Sequence, residues 1–160
     1  MAAVSGEITK GFSFPKQHVG SVSVPMRSGL AVGPIRAGDV VADNGSTGII
    51  VAGAAAVDTL LGIAAEAAVS GEQVTYFMAM PGVVFEATLE DQATAGHPGA
   101  LTDTWIKYGI HVDTDGGRYH YMNFNDTSTT CAVLMELLDP VTTVRARGRF
   151  MFVASAFIGQ

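Results

Sequence analysis

The chain has 160 residues, 48% hydrophobic and 15% charged, and its 9 Lys and Arg against 15 Asp and Glu give a net charge of −6. Disorder needs low hydrophobicity and high charge, so this composition excludes it, and a single core at this length buries roughly 70% of the unfolded surface without staples. The acidic balance excludes a phosphate-neutralising face for nucleic acid, and a lone cysteine, Cys131, excludes an internal disulfide and a multi-cysteine zinc site.

Residues 1–24 mix Gly, Ser, Pro and isolated aromatics, with Phe12, Phe14 and Pro15 in GFSFPKQHVGSVSVP. Neither a helical period nor a strand alternation is sustained there beyond Val19–Val24, which predicts an extended arm. Two phenylalanines and the alternating Val22 and Val24 predict that the arm docks onto something. No basic stretch is followed by an apolar run, and Glu7 interrupts the segment, so a signal peptide is not expected. The most apolar stretch, 49–69, carries Asp58 and Glu66, so no membrane span is expected either, and the protein is expected to be soluble and made in a cytoplasm.

Residues 25–160 are expected to form a single β-rich domain. Gly33-Pro34, Gly38-Asp39, Asn44-Gly45, Ser70-Gly71, Pro81-Gly82, Gly96 to Gly99, Asp115 to Gly117 and Asp139-Pro140 punctuate short Val, Ile, Phe and Thr runs. Turn signals about ten residues apart predict an all-β fold, a small β-barrel or sandwich with at most one short helix. Segment 52–69 is rich enough in Ala and Leu for a helix, but Leu61, Ile63, Ala65, Ala67 and Val69 alternate. The expectation is a loop or helical turn at 53–58, then a hairpin of strands 59–69 and 73–80, then a strand at 82–89. Segments 105–112 and 118–125 flank the turn Asp113 to Gly117 and predict a second hairpin, whose outer strand is RYHYMNF. CAVLMELL at 131–138 suits a core strand or two helical turns, and RFMFVASAFI at 149–158 suits a long strand that closes a sheet or buries itself in a neighbour.

The chemistry-bearing residues form no catalytic pattern. None of His18, His97, His111 and His120 makes the helical pair that a zinc hydrolase needs. A hairpin could bring His111 and His120 together, but no third ligand can be named, so both read as partly exposed strand histidines and no metal is expected. Asp113 to Gly117 starts like a calcium loop, but Arg118 and Phe124 stand where that loop needs Gly and Glu, so a tight turn is expected. Cys131 reads as a buried inert thiol, and Glu86 with Glu90 or Asp91 as a solvated rim. No nucleophile elbow, phosphate loop or dinucleotide fingerprint occurs, so no enzyme and no cofactor are expected. Arg145, Arg147 and Arg149 alternate in VRARGRF and would share one face of a strand. Two readings stand side by side: a solvated edge that discourages strand pairing, or a cluster that meets carboxylates on a partner.

The segments AGDVVADNGSTG, LLGIAAEAAVSGEQVTYFMAMPGVVFEATLED and ALTDTW, within 37–105, resemble the head decoration or cement proteins of tailed bacteriophages. That resemblance implies a small β-barrel carrying the GDVV, GIA and PGVVFE strands, preceded by an extended arm. It implies a non-enzymatic clamp on the outside of an expanded capsid, across junctions between major capsid subunits, located on the virion exterior. The implied partners are the major capsid protein and further copies of the chain, a homotrimer favoured over a homodimer, with no nucleic acid and no membrane. The expected capsid contacts are Phe12, Phe14, Pro15, His18, Val22 and Val24, the first three as apolar anchors. The alternatives are a self-associating β-module of a phage tail or fibre and a small-ligand-binding β-barrel.

Overall fold

Short β-branched and aromatic runs between glycines and prolines favour pleated segments whose side chains alternate between two faces. The computed structural model describes residues 24–53, 56–90, 104–113, 119–140, 143 and 145–158. The first half of the chain gives β1 (Met26–Leu30), β2 (Val40–Asp43), β3 (Ile49–Val51), β4 (Leu60–Ala64) and β5 (Gln73–Met78), a sheet ordered β1-β5-β4-β2-β3. The second half gives β6 (Val84–Glu90), β7 (Lys107–Asp113), β8 (Tyr119–Asn123), β9 (Ala132–Leu137) and β10 (Arg147–Phe152), a closed barrel ordered β10-β6-β8-β7-β9. The fold is all-β, and its helical content among the described residues is one 3-10 turn, Val57–Thr59.

The β4–β5 and β7–β8 hairpins form as expected, with Ile63 opposite Phe77 and Val112 opposite His120. The segment 131–138 forms a strand, β9, over Ala132–Leu137, and 149–158 helps to close the barrel through β10, which pairs with both β6 and β9. The pairing of β6 with β8 is parallel, Leu89 opposite Met122. The three strands named in the resemblance to decoration proteins are divided: GDVV contributes β2 and GIA contributes β4 of the open sheet, while PGVVFE contributes β6 of the barrel.

One core serves both halves. Val40, Ala42, Leu60 and Ile63 from the open sheet pack with Phe85, Leu89, Met122, Leu134, Phe150 and Phe152 from the barrel. Phe85 and Phe152 meet edge to face, with ring centroids 5.2 Å apart. The sheet curls around a smaller cluster that includes Ile35, Val41, Ile49, Val74 and Tyr76. Its two edges touch where Val32 donates to the carbonyl of Ile49 at 2.9 Å, beside a parallel bridge between Ala31 and Ile49. Glycines permit that approach. A Cβ on Gly29 would lie 2.6 Å from Ile49 Cδ1, and one on Gly48 would overlap the Val32 side chain.

Four expectations are corrected. The strand expected over 59–69 ends at Ala64: Ala65 still donates to Thr75 O, but Thr75 N–H goes to the Glu66 carboxylate at 3.0 Å and Ala68 pairs with Ile35; Val69 is 59% exposed instead of continuing the apolar face. The long terminal strand stops at Phe152, since Val153 and Ala154 both donate to the Cys131 carbonyl and turn the chain. Ala156 N–H then reaches Leu60 O and Ser155 Oγ reaches Ala79 O at 2.8 Å, which fastens the chain end to the open sheet. RYHYMNF lies between β6 and β7 and is buried from His120 through Asn123, so His120 is not a partly exposed histidine. Glu90 is no solvated rim, with 1% of its surface exposed.

Candidate functional site

The three arginines do not share a strand face. Arg147 and Arg149 stand on β10, but Arg145 precedes it in a left-handed conformation, φ 53°, which swings its side chain toward the end of β6. There its Nε donates to Glu90 Oε1 and to the Tyr119 hydroxyl, both at 3.1 Å, and the Tyr119 hydroxyl donates to the Glu90 carboxylate at 2.8 Å. The guanidinium also lies over the Tyr119 ring, 5.7 Å from its centroid. Burial alone would lower the Arg145 pKa, but Tyr119 and Glu90 outweigh it and raise it.

Arg147 grips Asp139 with two nitrogens, Nε at 3.0 Å and Nη2 at 3.2 Å. That hydrogen bonding holds the Asp139 carboxyl below its ordinary range and raises Arg147. Arg149 sits opposite Glu86 on one neighbouring strand and Glu136 on the other. It bonds Glu136 at 2.7 Å and approaches Glu86 at 3.6 Å. Each arginine of the expected partner-facing cluster thus engages a carboxylate of its own chain.

The histidines point apart, because adjacent residues on paired strands alternate faces. His111 Nε2 lies 3.3 Å from Asp126 Oδ2, at the turn where the other Asp126 oxygen accepts from Ser128 and Thr129 N–H. Asp126 titrates below its ordinary value: burial works against this, and those two backbone donors, His111 and the Ser128 hydroxyl more than compensate. His120 is fully buried between the two halves of the molecule. Its Nδ1 accepts from Val40 N–H at 3.2 Å and its Nε2 donates to Ala52 O at 2.9 Å, a pattern that fixes the neutral Nε2–H tautomer. Asp39 Oδ1 stands 3.7 Å from Nδ1. Among the described residues no group of three or more His, Cys, Asp or Glu could hold a metal ion. Cys131 is buried, and burial pushes its thiol up to about 12.

Of the expected arm contacts, Phe12, Phe14, Pro15, His18 and Val22 lie outside the described residues, as do His97 and the centre of the Asp113 to Gly117 turn. Val24 is described, and it packs half-buried against the large core. Sequence reasoning missed two features. An open cavity of about 500 Å³ lies between β1 and the turn that joins β2 to β3, lined by Arg27, Asp43, Thr47, Leu61, Tyr76 and Phe157 among others. Arg27 covers the Phe157 ring, and burial raises the Tyr76 hydroxyl, opposed by Arg27 and assisted by Asp43. The second feature is Trp105, the chain's one tryptophan, which is 65% exposed. It is held at a φ of 71° while its N–H donates to Leu134 O at 2.7 Å. The ALTDTW segment contained that tryptophan, but nothing local showed that it would project outward.

No protein-family model matches the chain, and no curated protein matches it in sequence.

Proposed function

We propose that the chain is a non-enzymatic structural protein that binds the outer surface of a phage capsid at junctions between major capsid subunits and stabilises the mature shell. The observation that carries this reading is the set of motif segments within 37–105. Their similarity to phage head decoration proteins lies in strand and turn residues, and the same residues build strands β2, β4, β5 and β6 here. The motif glycines Gly38, Gly45, Gly71 and Gly82 all have φ between 79° and 89°, the conformation their turns require. The likeness is therefore one of framework, which suits a protein whose work is to present a rigid surface.

Two further observations support the reading. Trp105 projects into solvent from that motif region, and exposed aromatics are the residues that anchor interfaces. The internal engagement of all three arginines supports a stiff barrel under load more than a charge-steered encounter. A clamp of this kind acts by linkage: it binds the mature lattice and not the disrupted one, and many copies sum small individual gains. Residues 1–24, with Phe12, Phe14 and Pro15, supply the arm in this proposal, and further copies of the chain, as a trimer, supply the multivalency.

The test is co-sedimentation of purified protein with expanded capsids that lack it, scored as copies bound per major capsid subunit. Saturation at a fixed ratio is expected, with a lower plateau or weaker affinity for the Phe12→Ala, Phe14→Ala double variant. Absence of binding by the full chain would overturn the proposal and shift the reading to the tail or fibre module.

A further inference from the structure

The open sheet is a barrel that fails to close along part of one seam. Its edge strands β1 and β3 meet where Val32 N–H donates to Ile49 O, and the rest of the seam is the cavity of about 500 Å³. Small-ligand sites typically enclose about 300–1,000 Å³. Leu61 and Phe157, both packed on the smaller core cluster, give this one an apolar floor. Phe157 is fixed there because Ala156 N–H donates to Leu60 O and Phe157 N–H to Ser155 Oγ. Three polar side chains around the cavity have bonding capacity left over. Arg27 lies over the Phe157 ring, 5.6 Å from its centroid, and makes no hydrogen bond or ion pair among the described residues. Arg145, Arg147 and Arg149 each engage a carboxylate, and with 15 acidic and 9 basic side chains a lone guanidinium is not for want of carboxylates. Tyr76 stands directly opposite Arg27; its ring is buried, and its hydroxyl makes no hydrogen bond among the described residues. Asp43 stands on the far wall, where one of its oxygens accepts from Gly45 N–H at 2.8 Å and the other from none of the described residues. Asn44 Oδ1 stiffens that wall by accepting from Ser46, Thr47 and Gly48 N–H. Arg27 and Asp43 act on the Tyr76 hydroxyl in opposite senses, so all three groups address one space.

We propose that this gap binds a small zwitterion, a free amino acid or dipeptide with an apolar side chain, its carboxylate on Arg27 and its ammonium on Asp43. The charges select the class. A ligand with only an anionic group would meet the Asp43 carboxylate, and one with only a cationic group would meet Arg27, so like-charge repulsion works against both. A ligand with both groups satisfies both walls and brings no net charge. The guanidinium presents a planar fork that matches a carboxylate. Burial keeps the Tyr76 hydroxyl protonated, so it is a second donor to that carboxylate. The ligand side chain displaces water from Leu61 and Phe157, which is favourable in proportion to the apolar area covered. Asp43 is held by its turn and Phe157 by the chain end, so binding orders little beyond the Arg27 side chain. The inference does not rest on the shell-binding reading, since no residue of the site belongs to 1–24.

The test is titration of the isotope-labelled full chain with L-leucine and with leucyl-leucine, followed by amide chemical shifts. Saturable shifts at Arg27, Thr47, Tyr76 and Phe157, with a Kd of about 1 mM or below, are expected while amides of β9 in the barrel stay unmoved. Removing one charge from the ligand, as in N-acetyl-L-leucine or L-leucinamide, should weaken binding about tenfold or more. Arg27→Gln and Tyr76→Phe should weaken L-leucine binding and leave β9 unmoved, because Arg27 is exposed and the second change keeps the buried ring. Asp43→Asn keeps an acceptor for Gly45 N–H; it should lose affinity for L-leucine and bind N-acetyl-L-leucine more tightly than the wild type does. No saturable shift with either zwitterion would overturn the proposal. Equal affinity for L-leucine and its N-acetyl or amide form would overturn it too, as would L-leucine binding indifferent to Asp43→Asn.

Discussion

Replacing His120 tests whether one imidazole fastens the barrel to the curled sheet. The ring spans from Val40 N–H to Ala52 O with no exposed surface. In His120→Ala both backbone groups lose that partner inside the protein, and a buried polar group left unsatisfied costs about 1–3 kcal/mol. Two such groups give about 2–6 kcal/mol, to which the void left by the ring adds. Against a typical domain stability of about 5–15 kcal/mol this is a large fraction. His120→Gln can still place an amide N–H toward Ala52 O and strands mainly Val40 N–H, so about half the loss is expected. Urea unfolding followed by far-UV circular dichroism reads the difference. With a slope of about 2 kcal/mol per molar, a 4 kcal/mol loss lowers the midpoint by about 2 M. His111→Ala, at a half-buried pair on the barrel, is the control and should lose less than about 1 kcal/mol. A His120→Ala loss no larger than the control would refute the role assigned to the ring.

Gly62→Ala should destabilise by about 1–3 kcal/mol or more, because a Cβ there would overlap the Phe77 carbonyl and lie 3.1 Å from Ala79 N; a midpoint within error of wild type would contradict the β4–β5 packing. Asp139 titrates below its ordinary 3.8, so its bond to Arg147 contributes stability above that pH and loses it as pH falls through the lower folded value. Asp139→Asn should accordingly flatten the acid limb of a stability profile below its ordinary 3.8, and an unchanged limb would show that the pair contributes nothing. Arg145→Gln removes the Arg145 cation from buried Glu90 and should cost about 1–3 kcal/mol, less than a fully buried pair because Arg145 is 34% exposed; rescue by the added Glu90→Gln distinguishes loss of this charge pairing from lost packing. Cys131 should resist a thiol reagent at pH 8 in the folded state and react on unfolding, whereas rapid reaction of native protein would contradict its burial and its raised pKa.

Local pattern carried most of the strands and little of their arrangement. Turn residues at Gly38, Gly45, Gly71 and Gly82 delimit segments, and those glycines do adopt the left-handed backbone that turns need. Which strands become neighbours depends on contacts far apart in sequence. Nothing near Leu89 or Met122 signals that β6 and β8 pair in parallel, or that the chain divides into an open sheet and a barrel. The buried polar groups were hidden for a related reason. In YHYMN a half-exposed strand would leave one face wet, and His120 falls on the face of Met122, which is wholly buried. Weighing Met122 as the marker of the inner face would have placed His120 inside. Glu90 offered no such marker, since its partner Arg145 lies 55 residues away and reaches it only through a left-handed turn. Alternation in VRARGRF assumed that the strand already runs at Arg145, and β10 begins at Arg147.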